Sequence, residues 1–324
     1  MSSKQASAEV KRKLSAGPLS LADRFFFGTT TAAAYFAFVL VILILAFLLV
    51  QSFPIIQNQG FDFVLGNIWN PDQGIYQLGP MLWGSLLIAL FGIVIATPMA
   101  VALAYLIVFL LPKRLATIAT TLVDLLAALP SVVIGLWGLF TFGPTAAGWA
   151  ETLNKYLGFI PLFSVQSSEN GFFRSPFIAS WIVAVMIIPI ITSVTREIFS
   201  QLDRDLVNGA LALGGSRLSV FRRVIFPTSA GGVVGGVLLG LGRAIGETVA
   251  IFYVLNLSLD INWSNLLEPR GGAIASWILA KFGESSPEEK QALMAAGLVL
   301  FVVTLIINFL ASFIVNRSQP WRKN

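Results

Sequence analysis

The chain has 324 residues, 56% of them hydrophobic and 11% charged, with a net charge of +5 and a mean hydropathy of +0.82. Soluble domains carry about 25% charged residues, so this composition excludes a water-solvated globule and points to an all-α membrane bundle solvated mainly by lipid. The chain has no Cys and no His, which excludes disulfides, thiolate metal sites and imidazole acid–base chemistry and with them most enzyme classes.

A membrane span needs about 20 largely apolar residues, and six runs qualify in chain order. The first is Phe25–Val50, preceded by a basic stretch over residues 1–24. No cleavable signal is expected there, so this run stays in the membrane as an anchor. The second is Met81–Leu111, with Pro98 as a kink, and the third is Leu115–Phe142, with Asp124 in its first turns. The fourth is Phe177–Thr195, containing Pro189; the fifth is Ser229–Leu259, with Arg243 and Glu247 inside; the sixth is Gln291–Asn316. Residues 25–316 therefore read as one transmembrane domain, followed by a short tail over 317–324.

Six spans put both termini on one side. The segments on that side hold fifteen Lys and Arg, whereas the alternate loops hold five (Lys155, Arg174, Arg270, Lys281, Lys290). Basic residues stay cytoplasmic, so both termini are expected there, with the loops at about 53–79, 143–176 and 260–290 outside. The positive balance then belongs to span flanks and membrane lipid, and no nucleic-acid partner is expected.

The cytoplasmic loop over 197–228 is amphipathic. Leu206, Ala210, Leu213, Leu218, Phe221 and Val224 recur at helical spacing among Arg204, Asp205, Arg217, Arg222 and Arg223. Gly214 and Gly215 are expected to break it into two short helices, and Pro227 to start the next span. Such a pair can lie on lipid or fill a groove in another protein. Its pattern resembles the permease loop of ATP-binding-cassette importers, with matches at Ala210, Gly214 and Pro227 and apolar residues at Val224 and Phe226. Asn208 and Gly209 stand where that family has Glu-Ala. The resemblance implies that Asn208, Gly209, Ala210, Gly214, Gly215 and Pro227 belong to a coupling element seated in an ATPase subunit. This chain has no Gly-x-x-x-x-Gly-Lys-Ser/Thr loop, so ATP and its magnesium would be used by a separate partner and no cofactor is expected in this chain.

In the fifth span, Arg243 and Glu247 stand four residues apart, on one face of a helix, where they can pair. A charge at the bilayer centre costs roughly 2.5 kcal/mol or more, so such residues mark a polar interior or a buried structural ion pair. An Arg fork also matches oxyanions in bidentate fashion. Glycines 232, 236 and 240, and glycines 242 and 246, form small-residue rows suited to close helix packing.

Three segments are similar to phosphate-specific permeases of the PstC type, within the binding-protein-dependent importers. They are Gly240-Leu241-Gly242-Arg243-Ala244-Ile245-Gly246-Glu247-Thr248, Pro130-Ser131-Val132-Val133-Ile134-Gly135-Leu136 and Trp69-Asn70-Pro71. The resemblance implies a type I importer permease fold in a bacterial inner membrane. It also implies a second homologous permease subunit, two ATP-binding-cassette ATPase subunits and an external phosphate-binding protein. Arg243 and Glu247 match that family's embedded charged pair, and Ser131 is a candidate for lining the path. Two other readings remain at this point: a permease for sulfate or molybdate, or an ion-coupled transporter using Glu247 and Asp124.

Overall fold

The computed structural model describes residues 20–165, 171–259 and 265–317. The basic tail lies outside these residues as far as residue 19, and the C-terminal tail from residue 318 onward. Among the described residues, six helical runs are long and apolar enough to cross a membrane: Leu21–Gln59, Gly79–Leu110, Ser131–Leu157, Pro176–Ser200, Arg217–Ile245 and Pro287–Phe313.

The chain divides after Val50 into two compact units. The first contains most of α1 (Leu21–Gln59). A reciprocal cap starts this helix: the Ser20 hydroxyl donates to the Asp23 carboxylate at 2.8 Å, and the Asp23 N–H donates back to the hydroxyl at 3.1 Å. Beyond the cap the helix is apolar on every side, which suits lipid or another helix.

The second unit runs from Gln51 onward. It opens with α2 (Asp62–Leu65) and a hairpin of β1 (Trp69–Asn70) and β2 (Ile75–Tyr76), paired antiparallel with Trp69 opposite Tyr76. Gly74, at φ 65°, makes the turn. Gln59 clamps it by donating to the Gly74 carbonyl and accepting from the Tyr76 N–H, both at 3.0 Å. Next come α3 (Gly79–Tyr105), continued by a π turn over Leu106–Leu110, and α4 (Lys113–Ala127). The chain continues through α5 (Ser131–Trp137), a π turn over Gly138–Phe142 and α6 (Gly143–Leu157). After α7 (Pro176–Ser200) come α8 (Arg204–Ala212) and α9 (Arg217–Val220). A π turn over Phe221–Ile225 leads into α10 (Phe226–Ile245), followed by α11 (Val249–Val254), α12 (Ile274–Lys281) and α13 (Pro287–Arg317).

α7 is the centre of this unit. Of its most apolar stretch 67% is buried, against at most 39% in the unit's other spans. Small residues let its neighbours approach. A Cβ on Gly92 of α3 would lie 3.1 Å from Val183, and Cβ atoms on Gly232, Gly236 and Gly240 of α10 would press on Ile198, Val194 and Ile191. The first glycine row is therefore a packing row, as expected. The second is not, because Gly242 has nothing within 4 Å and Gly246 meets only its own helix backbone.

Two spans differ from the sequence reading. The third was expected at Leu115–Phe142, but α4 is a separate helix and the apolar run is Ser131–Leu157. The reason lies in the residues: Thr117, Thr120, Thr121 and Asp124 interrupt the apolar pattern, and Pro130 holds the chain extended before α5 begins. Asp124 thus lies outside the spans, where it accepts from the Ser193 hydroxyl at 3.2 Å and sits 3.9 Å from the Arg196 guanidinium. The stretch expected to be loop from Gly143 is helical as far as Leu157. The fifth span, expected at Ser229–Leu259, instead runs Arg217–Ile245 and stops. Gly246, Glu247 and Thr248 leave helical structure before α11 resumes.

Candidate functional site

The break between α10 and α11 gathers the charged residues of this span. Arg243 occupies the last turn of α10 and is exposed, whereas Glu247, in the break, is buried. Its carboxylate accepts from the Ala250 backbone N–H at 3.3 Å, so it caps α11. No ion pair joins Arg243 to Glu247 among the described residues, which corrects the expected helical pairing. Four-residue spacing places two side chains on one face only while the helix continues, and here it stops between them. Arg243 is left with its fork open, at a helix C-terminus that favours a cation.

Ser131 starts another element, α5, which packs on α11. Pro130 occupies the N-cap position of α5, Gly135 lets α5 press onto α11, and Gly138 in the π turn meets both Ile182 of α7 and Val254 of α11. A Cβ on Gly135 would lie 2.8 Å from the Ala250 Cα, and one on Gly138 would lie 3.0 Å from Val254. The two contacts run in parallel register, and Ser131 is the first residue of α5, one turn before Gly135. By that register the start of α11 lies about one turn along α5 from Ser131, and helix starts present unpaired N–H groups that favour anions.

α12 and Arg174, which sequence reasoning did not single out for the site, complete its supports. The Ser276 hydroxyl donates to the Thr248 carbonyl at 2.8 Å. The start of α12 is held in turn by Ser85, whose hydroxyl accepts from the Ile274 N–H and donates to the Met81 carbonyl, both at 2.9 Å. Gly84 and Gly272 meet backbone to backbone there, with no room for a Cβ on either. At the far end of α11 the Arg174 guanidinium donates to the Leu255 carbonyl at 3.4 Å and the Phe252 carbonyl at 3.5 Å. Arg174 does so from a left-handed backbone at φ 59°. A non-glycine residue at positive φ was the feature that could have marked it, and no sequence pattern encodes that.

The amphipathic loop forms two helices as expected. Asp203 caps α8, Ser216 caps α9, and Gly214 turns between them at φ 84°. Asn208, Gly209 and Gly214 are exposed, Ala210 is half-buried, and Leu213 beside the turn is 91% exposed. Gly215 has no space for a side chain, since a Cβ would sit 2.7 Å from the Ala210 carbonyl. Val207, Val220 and Ile225 anchor the loop on Val101, Ala104 and Phe199. Pro227 is the second residue of α10, inside a helical run that already starts at Arg217.

Residues 92–324 match the family described as binding-protein-dependent transport system inner membrane component. The phosphate transport system permease protein PstC of Pasteurella multocida is 34% identical over 292 residues, covering 90% of this chain and 91% of that one. The Haemophilus influenzae PstC is 36% identical, covering 90% and 92%. A probable PstC of Methanocaldococcus jannaschii is 30% identical, covering 91% and 93%. Among solved structures, the inward-facing MetNI methionine ABC transporter aligns with a TM-score of 0.53 at 12% identity, covering 78% of this chain and 99% of that one. A bacterial ABC transporter for import of alginate aligns at 0.51 and 15% identity, covering 91% and 99%. Those likenesses show the importer-permease fold. With a broken fifth span, an exposed two-helix loop and sequence kinship along nine tenths of its length, this chain belongs to the PstC-type permeases of the binding-protein-dependent transport family.

Proposed function

We propose that this chain is the membrane permease subunit of an ATP-driven importer of inorganic phosphate, with Arg243 as its anion ligand. The supporting observation is the open guanidinium of Arg243 beside a helix break whose one buried carboxylate is turned to a backbone N–H. Phosphate is a strongly hydrated anion, and a planar fork replaces part of its water shell with charge-assisted hydrogen bonds. Ser131 and the N–H groups around it add neutral donors. Glu247 shapes the break and keeps a negative charge one step from the guanidinium, which favours release.

The fifteen-to-five bias of Lys and Arg supports a cytoplasmic α8–α9 loop and an external hairpin. Two cytoplasmic ATPase subunits engage the α8–α9 turn, where Leu213 stands free. A second homologous permease completes the path, and an external phosphate-binding protein delivers the anion. ATP hydrolysis belongs to the ATPase subunits, and this chain translocates.

The test is phosphate uptake by the assembled complex in proteoliposomes, with sulfate and molybdate as competitors. A charge-assisted hydrogen bond contributes roughly 1.5–3 kcal/mol, so Arg243→Ala should lower uptake about 10- to 100-fold with assembly retained. Arg243→Lys should fall between the two, because a point charge lacks the fork. Normal uptake in Arg243→Ala would remove the ligand role, and equal competition by sulfate would widen the substrate to oxyanions generally.

A further inference from the structure

A groove of 830 Å³ runs between the second half of α3 and the α9–π–α10 run, away from the Arg243 break. Its floor is apolar: Pro98, Val101 and Ala102 come from α3, and Leu218, Phe221 and Phe226 from the facing run. Arg217 and Arg222 stand on its wall. Neither pairs with a carboxylate among the described residues.

Both walls carry a π turn, over Leu106–Leu110 and Phe221–Ile225. Such turns recur at functional positions because they displace side chains from the regular helical register. Here Tyr105 and Phe221 meet edge to face at 4.9 Å, and with Val101, Ala104, Val220 and Ile225 packed beside them they close one side of the groove. Leu218 is 58% exposed and Phe226 41%, so the floor is open.

We propose that this groove binds an anionic phospholipid, with an acyl chain along the apolar floor and the phosphate group between Arg217 and Arg222. Charge complementarity selects that occupant. An apolar floor alone accepts any hydrocarbon, but two arginines without carboxylate partners at its wall favour an anion, and a phospholipid joins both chemistries in one molecule. Basic pockets between membrane helices suit such headgroups. The bound lipid would bridge α3 to α9 and brace the α8–α9 loop from its membrane side. The proposal rests on the charge-based orientation solely for the leaflet, which it sets as the cytoplasmic one.

Photolabelling of the assembled transporter in nanodiscs tests this without a transport readout, so it stands or falls apart from the phosphate reading. Photoactivatable phosphatidylglycerol should label peptides covering 97–110 and 217–226, and the matching phosphatidylethanolamine probe should label them far less. Each arginine near an anionic headgroup favours binding about fivefold. Arg217→Gln/Arg222→Gln should therefore cut phosphatidylglycerol labelling roughly 30-fold, whereas Arg217→Lys/Arg222→Lys should keep most of it. Ala102→Trp, which fills the floor and leaves both arginines, should also abolish labelling. Equal labelling by the two headgroups in the unmodified protein overturns the proposal. So does undiminished labelling in the Gln variant, or a cross-linker at Leu218→Cys that captures another polypeptide instead of lipid.

Discussion

The carboxylate of Glu247 accepts from the backbone N–H of Ala250 at 3.3 Å. That contact separates two roles that a sequence would merge, since the residue both caps α11 and sets the charge beside Arg243. Glu247→Gln keeps a carbonyl oxygen for the cap and removes the charge, whereas Glu247→Ala removes both. A lost cap costs about 1 kcal/mol. Thermal unfolding of the purified complex should therefore drop for Ala and hold for Gln, while both slow phosphate release. Equal stability of the two variants would remove the capping role.

Packing of α5 on α11 makes a second prediction. The Cβ of Gly135→Ala would fall on backbone, 2.8 Å from the Ala250 Cα, which cannot swing aside. Such overpacking costs about 1–3 kcal/mol, and here it also pushes α11 away from α5. Gly242→Ala, with nothing within 4 Å, should leave stability unharmed or raise it by up to about 1 kcal/mol. If both variants melt alike, the parallel register of α5 and α11 is not what positions the site.

Much of this arrangement was legible in the residues. Six apolar runs, the two-helix loop turning at Gly214, and the packing of glycines 232, 236 and 240 all follow from composition and helical spacing. The break at 246–248 did not, because Gly246 reads equally well as a packing glycine and the apolar run continues beyond it. The third span was misplaced for a similar reason. Hydropathy averages over a window and passes across Pro130, while the turn there depends on a missing N–H. Ser276, Arg174 and Ser85 act through partners 28, 81 and 189 positions away, and pattern reading has no access to such contacts.

At the α8–α9 turn, Gly214 holds φ 84°, where any side chain is strained. Gly214→Glu should misdirect the exposed Leu213 and lower recovery of the ATPase subunits with the permease. Membrane insertion should be unchanged, since no span is altered. Full recovery of ATPase on pull-down would show that the turn does not carry the contact.

The hairpin predicts an alkaline sensitivity. Burial, then the charges of Glu288 and Glu289, raise the Tyr76 phenol above its ordinary value. The unfolded phenol starts to ionise first, near pH 10. The Tyr76 contribution to stability is therefore complete below that pH and is lost as pH climbs toward the folded value. Unfolding midpoints measured between about pH 9 and 11 should fall more steeply for the natural protein than for Tyr76→Phe. Parallel pH profiles would mean the phenol does not ionise differently in the fold.

The contact of Gly84 with Gly272 also bears on how the protein can move. Two backbones that meet with no side chain between them cannot slide without separating, and Ser85 fastens the same spot to the start of α12. α11 is fastened likewise, to α5 by Gly135 and to α12 through Ser276. α3, α5, α11 and α12 are therefore fastened to one another at these points. α10 packs on α7 through Gly232, Gly236 and Gly240, and its last links to the break are two long hydrogen bonds, Gly246 N–H to the Gly242 carbonyl at 3.3 Å and Glu247 N–H to the Ala244 carbonyl at 3.4 Å. Any bending of α10 against α11 would concentrate at Gly246, Glu247 and Thr248, one turn from the arginine proposed as the anion ligand.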